Sequence, residues 1–148
     1  MRSFCRPGAL ERLGFGWDVL HAANPSLILC SNSGFGTKGE WADRASFDHI
    51  CQGFSGHMSY QAGGPSHPPT MSEHGMADQA GSMLFVVAIL SALLARERGD
   101  GQGQRVECSQ LGAMLQFQAI NLTPFLHSRH RGVPQRDDVS RTKTNRSC

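Results

Sequence analysis

The eight residues Ser26-Leu27-Ile28-Leu29-Cys30-Ser31-Asn32-Ser33 (SLILCSNS) form a short apolar run that ends in small polar residues. A run of that length bounded by turn formers reads as a buried strand. Asn24-Pro25 stands just before it, and a proline together with its restricted predecessor ends a helix. That helix is predicted over Trp17 to Ala23. An earlier short one is predicted from Ala9 to Leu13, with Pro7 ahead of it and Gly14 behind it. The chain thus opens with a helix feeding a buried strand.

Ser33-Gly34-Phe35-Gly36-Thr37-Lys38-Gly39 follows, where glycines permit positive φ or the close approach of a ligand. No GxGxxG or Walker lysine pattern accompanies it, so by composition alone the loop reads as a turn. Phe47 to Tyr60 spaces Phe47, Ile50, Cys51 and Phe54 as one apolar helical face, and Gly63-Gly64-Pro65-Ser66-His67-Pro68-Pro69 is a loop. Met83 to Ala95 (MLFVVAILSALLA) is apolar on every side, and such a helix is expected to be buried. It should open near Asp78 and end at Arg98-Gly99, with Arg96 and Arg98 in the last turn, where the dipole favours cations. Met83, Leu84, Val87, Leu90 and Leu94 are expected in the core. Gly99 to Gly103 is a tight turn, Gln104 to Ser109 alternates like a strand, and Gln110 to Phe125 returns to helical spacing. Helices alternating with short strands define an α/β architecture.

At 148 residues, 39% hydrophobic and 18% charged, the chain is of single-domain size and globular composition. A formal net charge of +2 gives no electrostatic footprint for nucleic acid. The five cysteines are scattered without a CxxC pair or zinc spacing, which predicts reduced thiols and no metal. Met1 to Gly8 lacks the apolar core of a signal peptide. The apolar run Met83 to Ala95 falls short of the roughly 20 residues that span a bilayer. A cytoplasmic protein without membrane attachment is expected. From His127 onward the chain turns basic and polar, and residues 127–148 are expected to be a disordered tail.

From the residues alone, Asp78 reads as an N-cap for the long helix, because Asp is preferred there. A second reading comes from five blocks in order. They are Arg6-Pro7-Gly8-Ala9-Leu10-Glu11-Arg12-Leu13-Gly14, Asn24-Pro25-Ser26-Leu27-Ile28, Ser33-Gly34-Phe35-Gly36, Ala77-Asp78 before the apolar helix, and Arg96-Glu97-Arg98 leading to Gly101-Gln102-Gly103-Gln104-Arg105-Val106-Glu107-Cys108-Ser109. Together they resemble the class III CoA-transferases, the family of formyl-CoA transferase and the carnitine-type CoA-transferases, from about Arg6 to Leu126.

The resemblance implies a partial Rossmann-like large domain over 1–126, followed by the tail or interdomain linker at 127–148. It implies that Asp78 is the catalytic nucleophile, moving coenzyme A between an acyl-CoA and a small carboxylic acid through an aspartyl-CoA thioester. Asp48 matches an acidic active-site residue. Arg12 matches an arginine at the nucleotide end of CoA, with a solvated helix residue as the plain alternative. Gly34, Phe35 and Gly36 match the loop along the thiol arm, or are turn glycines beside a core aromatic. Homodimeric pairing is implied for full-length relatives, and this chain resembles a fragment of them.

Two departures stand out. Phe4-Cys5 replaces the family's Asn-Phe before Arg-Pro-Gly. Phe47 stands where the related acyl-CoA racemases carry a histidine, which favours transfer over racemisation, and His49 is two residues away on a helix. An inactive fragment is the third reading.

Overall fold

The structure is a computed structural model that describes residues 2–3 and 8–128. Three parallel strands, β1 (Arg2–Ser3), β2 (Leu29–Ser33) and β3 (Arg105–Ser109), lie side by side in the order β1-β2-β3. Parallel strands need crossover connections. The first crossover carries α1 (Ala9–Arg12) and α2 (Trp17–Ala23); the second carries α3 (Asp48–Phe54), α4 (His57–Ala62) and α5 (Met76–Arg98). Helices α6 (Gln110–Phe117) and α7 (Ala119–Ser128) complete the described chain. The α/β class is the one observed, and of the strands expected at 26–33 and 104–109 the structure forms Leu29–Ser33 and Arg105–Ser109, with Ser26 to Ile28 leading into the first. Phe4-Cys5 lies outside the described residues.

Register in the central pair runs from Leu29 opposite Arg105 to Ser33 opposite Ser109. The strand entry is tight: a Cβ on Gly103 would stand 1.8 Å from the Leu27 carbonyl oxygen, so only glycine fits. Ile28 and Cys30 pack with Phe85 and Ala92 of α5, and Ile89, Leu93, Val106 and Cys108 close around them. A second cluster joins Cys51 of α3, Ala77 of α5 and Met114 of α6. Helix α5 therefore links both clusters, and Arg96 in its last turn donates to the Ser26 carbonyl at 3.1 Å.

Several expectations need correction. Helix α5 buries one stripe only, Ala77, Gly81, Phe85 and Ala92, at helical spacing. Met83, Leu84, Val87, Leu90 and Leu94 are exposed at 69%, 39%, 60%, 60% and 51%. The sheet offers α5 one surface, so its far side is left without cover among the described residues. An apolar groove lined by Met76, Ala80, Met83, Leu84, Ala113 and Phe117 opens there, beside α6. By length and composition α5 could cross a membrane, although the apolar run inside it is shorter. Phe47 precedes α3 and is 65% exposed, so it does not share the buried face that Cys51 occupies.

The helix expected over Gln110 to Phe125 is two helices, separated at Gln118, where the backbone leaves helical geometry at φ −97° and ψ 14°; its buried side-chain amide donates to the Ser55 carbonyl at 3.2 Å. Helix α7 runs to Ser128, so His127 and Ser128 are helical, and the rest of the expected tail lies outside the described residues.

The two sides of α5 give opposite expectations for truncation. Phe85→Ala should cost about 3–5 kcal/mol, as removal of a packed aromatic does, whereas Leu90→Ala should change stability by about 0.5 kcal/mol or less. Urea denaturation midpoints of the two variants check this, and comparable losses would mean that the outer side is packed.

Candidate active site

Gly75 stands at the N-cap position of helix α5; its φ of 61° is left-handed, and it has no side chain to cap the first turn. The first N–H groups of a helix need acceptors from elsewhere. Asp48, the first residue of α3, supplies one: its Oδ1 accepts from the backbone N–H of Ala77 at 2.6 Å and of Asp78 at 3.0 Å. An anion at this end also meets the positive pole of the helix dipole. The other oxygen of Asp48 accepts from Nε2 of the fully buried Gln52. Gln52 in turn clamps the incoming loop, donating to the Ser72 carbonyl at 3.0 Å and accepting from the Ser72 N–H at 2.9 Å. Asp48 is thus held on one side by α5 and on the other by an amide locked to the loop before it.

Asp78 is not the N-cap, since it lies inside the first turn, three residues beyond Gly75. The Ala77 and Asp78 amides bond Asp48 and not the Asp78 side chain. What Asp78 has is a side-chain partner: Oδ1 accepts from Nε2 of Gln110, the first residue of α6. Burial, and then the neighbouring Asp48 carboxylate, push the Asp78 carboxyl above the usual aspartate range. A carboxylate made more basic in this way is a better nucleophile than a free one.

Gln110 is placed from several directions. Strand β3 passes directly into α6, and Ser109 caps the new helix by accepting from the Gly112 N–H at 3.1 Å. The Leu111 N–H donates to the Gly34 carbonyl at 3.0 Å, which ties α6 to the loop after β2. The Cys51 thiol lies 3.7 Å from Oε1 of Gln110 and 3.6 Å from the Gly34 carbonyl, and it also meets the Ser46 hydroxyl at 3.0 Å. Burial above all raises the Cys51 pKa, the Ser46 hydrogen bond opposes the shift, and Asp48 and Asp78 add to it. The thiol stays protonated and acts as a donor.

Of the residues singled out in the sequence, Asp48 and Asp78 meet at one helix end, and Gly34 lies beside them through Leu111 and Cys51. A Cβ on Gly34 would stand 2.0 Å from that of Ser46, so a close approach within the protein requires this glycine. Phe35 meets Trp41 and Phe54 edge-on at 5.6 and 5.5 Å between ring centroids, the contacts of a packed aromatic. Gly36 has φ of 92° and donates to the Ser33 hydroxyl at 3.1 Å, closing the turn. Arg12 is exposed on α1, and among the described residues no hydrogen bond or ion pair joins it to either aspartate. His49 is exposed and stacks on Phe47. Gln110 and Gln52 were not foreseen. Gln110 does stand at the carboxyl end of a parallel strand, where ligands gather in open α/β sheets, and that signal could have drawn notice.

A helix start capped by a carboxylate from another helix, with a second carboxylate in its first turn, at the carboxyl end of a parallel α/β sheet, defines a class of acid-bearing α/β sites. Comparison with known proteins gives the family: the model for CoA-transferase family III matches residues 3–146, and the chain belongs to that family. An acyl-CoA transferase from Fusarium pseudograminearum is 40% identical over 104 residues, 70% of this chain and 22% of that protein. An acetyl-CoA:oxalate CoA-transferase from Acetobacter aceti is 40% identical over 113 residues, 76% of this chain and 28% of that protein. The crystal structure of a CAIB/BAIF family protein from Brucella suis superposes with a TM-score of 0.81 at 32% identity, over 90% of this chain and 35% of that one. The chain therefore spans roughly a quarter to a third of the length of these relatives.

The raised Asp78 pKa carries a sign. Ionising Asp78 is harder in the folded chain than in the unfolded one, so its contribution to stability is full below the ordinary carboxylate pKa and is lost as pH rises through the raised value. Asp78→Asn should therefore melt higher than the parent at pH 7, with the gap closing below about pH 4, where both side chains are neutral. Asp48→Ala should lower stability by about 0.5–2 kcal/mol through loss of the cap. Thermal melts of the parent and both variants across this pH range check both outcomes.

Proposed function

We propose that this chain carries the nucleophile centre of a CoA-transferase, which moves coenzyme A from an acyl-CoA to a small carboxylic acid through Asp78. The observation that supports this most is the environment of Asp78: a carboxylate denied the helix amides, crowded by Asp48 and held by one side-chain amide. Its Oδ2 attacks the thioester carbonyl; a C–O bond forms, the C–S bond breaks, and the thiolate leaves with the electron pair. The thiolate then attacks Cγ of Asp78, the first acid departs as a carboxylate, and an aspartyl thioester remains. The acceptor carboxylate attacks Cγ and expels the thiolate, which attacks the acceptor's carbonyl and restores the Asp78 carboxylate. Covalent catalysis of this kind divides one difficult transfer into easier steps.

Asp48 serves as the anionic cap that fixes the first turn of α5 and keeps Asp78 basic. Arg12 is read as a contact for the CoA phosphates, suited to a guanidinium. Gly34, Phe35 and Gly36 are read as lining the thiol arm, a role supported by the tie from Gly34 to the start of α6. Helix α5 is read as a core helix and not a membrane span, because its Phe85 stripe packs on the sheet. Its bare outer side is read as a surface covered in a longer polypeptide or by a second subunit, since apolar patches of this kind mark interfaces.

Exchanging residues 8–128 into the matching segment of the Acetobacter aceti enzyme tests the reading. The chimera should transfer CoA, and Asp78→Asn in it should abolish transfer without unfolding; a folded Asn variant that still turns over would end the assignment. The 148-residue chain by itself should show no turnover, because positioning both substrates needs a complete pocket. Intact mass after incubation with an acyl-CoA and an added acid reads this, and a turning-over adduct on Asp78 would contradict it.

A further inference from the structure

Building on the nucleophile reading of Asp78, we infer that Gln110 is the oxyanion donor of this site: its side-chain N–H holds Oδ1 of Asp78 and receives the negative charge that develops there. In two of the proposed steps the attacked carbon is Cγ of Asp78 itself. When the thiolate or the acceptor carboxylate adds to Cγ, the Cγ–Oδ1 double bond opens and its electron pair moves to Oδ1. On collapse the pair returns and the leaving group departs from Cγ with its own pair, so no proton is needed. A donor already aimed at Oδ1 stabilises both additions without reorganising, which is how such groups accelerate acyl transfer.

The structure meets the requirements for such a donor. Nε2 of Gln110 bonds Oδ1, leaving Oδ2 for attack on the substrate. The amide is oriented from its other end, because Oε1 faces the buried, protonated Cys51 thiol. The backbone beneath it is fixed by the Ser109 cap and by the Leu111 bond to Gly34. Gly81 leaves it room: a Cβ there would already touch Cγ of Gln110 at 3.5 Å. A glutamine can donate without adding charge, so it steadies the anion on Oδ1 while Asp48 keeps the carboxylate basic. A lysine or arginine in its place would pull the pKa down and blunt the nucleophile.

Two measurements test this, each on Gln110→Met, which keeps the shape and loses the donor, and on Gln110→Asn, which stays polar but is too short to reach Oδ1. The first is a carboxyl carbon-13 NMR titration of Asp78 in the 148-residue chain. Loss of the donor should raise the Asp78 pKa further, and an unmoved titration in the folded variants would overturn the assignment whatever the chemistry. The second is steady-state kinetics in the chimera with the Acetobacter aceti enzyme. There kcat should fall about 100-fold while KM stays nearly constant, as expected for a donor used in the transition state. A retained kcat would remove the oxyanion role. Failure of the nucleophile reading would look different, because the Asp78→Asn chimera would stay active while the titration still reported whether Gln110 holds Asp78.

Discussion

Much of this structure depends on one carboxylate, that of Asp48, occupying the two free amides at the start of α5. Helix α5 brings no cap of its own, and its first turn is wedged between α3 and α6, where an unsatisfied N–H would be costly. Capping from another helix settles two matters together. It fixes the register of α3 against α5, and so the second apolar cluster around Cys51, Ala77 and Met114. It also decides which of two neighbouring aspartates accepts from those amides. The other is left with a single side-chain amide, and its higher basicity comes first from burial and then from the like charge nearby.

Within this arrangement the two glutamines have parallel jobs. Gln52 locks Asp48 to the loop at Ser72, and Gln110 locks Asp78 to the end of β3. Each is a neutral group holding a charged one, so the carboxylates are oriented without being neutralised. Charge-assisted hydrogen bonds of this type are stronger than neutral ones, which suits a site whose two acids must stay close without drifting apart.

The sequence made the framework legible because its signals are local. Asn24-Pro25 before Leu27 to Cys30, and Gly99 to Gly103 before Val106, are turn chemistry next to apolar runs, and both strands formed where those signals stand. The pairing of Asp48 with Asp78 could not be read that way. It joins residues 30 apart through backbone amides that carry no sequence signature. Gln110 was hidden for a related reason: in sequence it is one of two glutamines on an otherwise apolar helix, and only the passage of β3 into α6 turns it towards Asp78. The exposure of the outer side of α5 is not legible in the sequence, because an all-round apolar pattern says that cover is needed and not that it is present. Leu90 and Val87 show the difference.

The pairing of β2 with β3 has a consequence for how the chain assembles. Every pair in that ladder, from Leu29 with Arg105 to Ser33 with Ser109, joins residues 76 apart in sequence. Non-local parallel pairing must close a long loop before any ladder bond forms, so sheet closure is slow compared with helix formation, which takes on the order of a microsecond. Helix α5, at 23 residues, can form locally well before the strands meet. For that interval both its stripes lack cover, the one destined for the sheet and the one that stays bare. A newly made chain is therefore most vulnerable to self-association early, while α5 exists and the sheet does not.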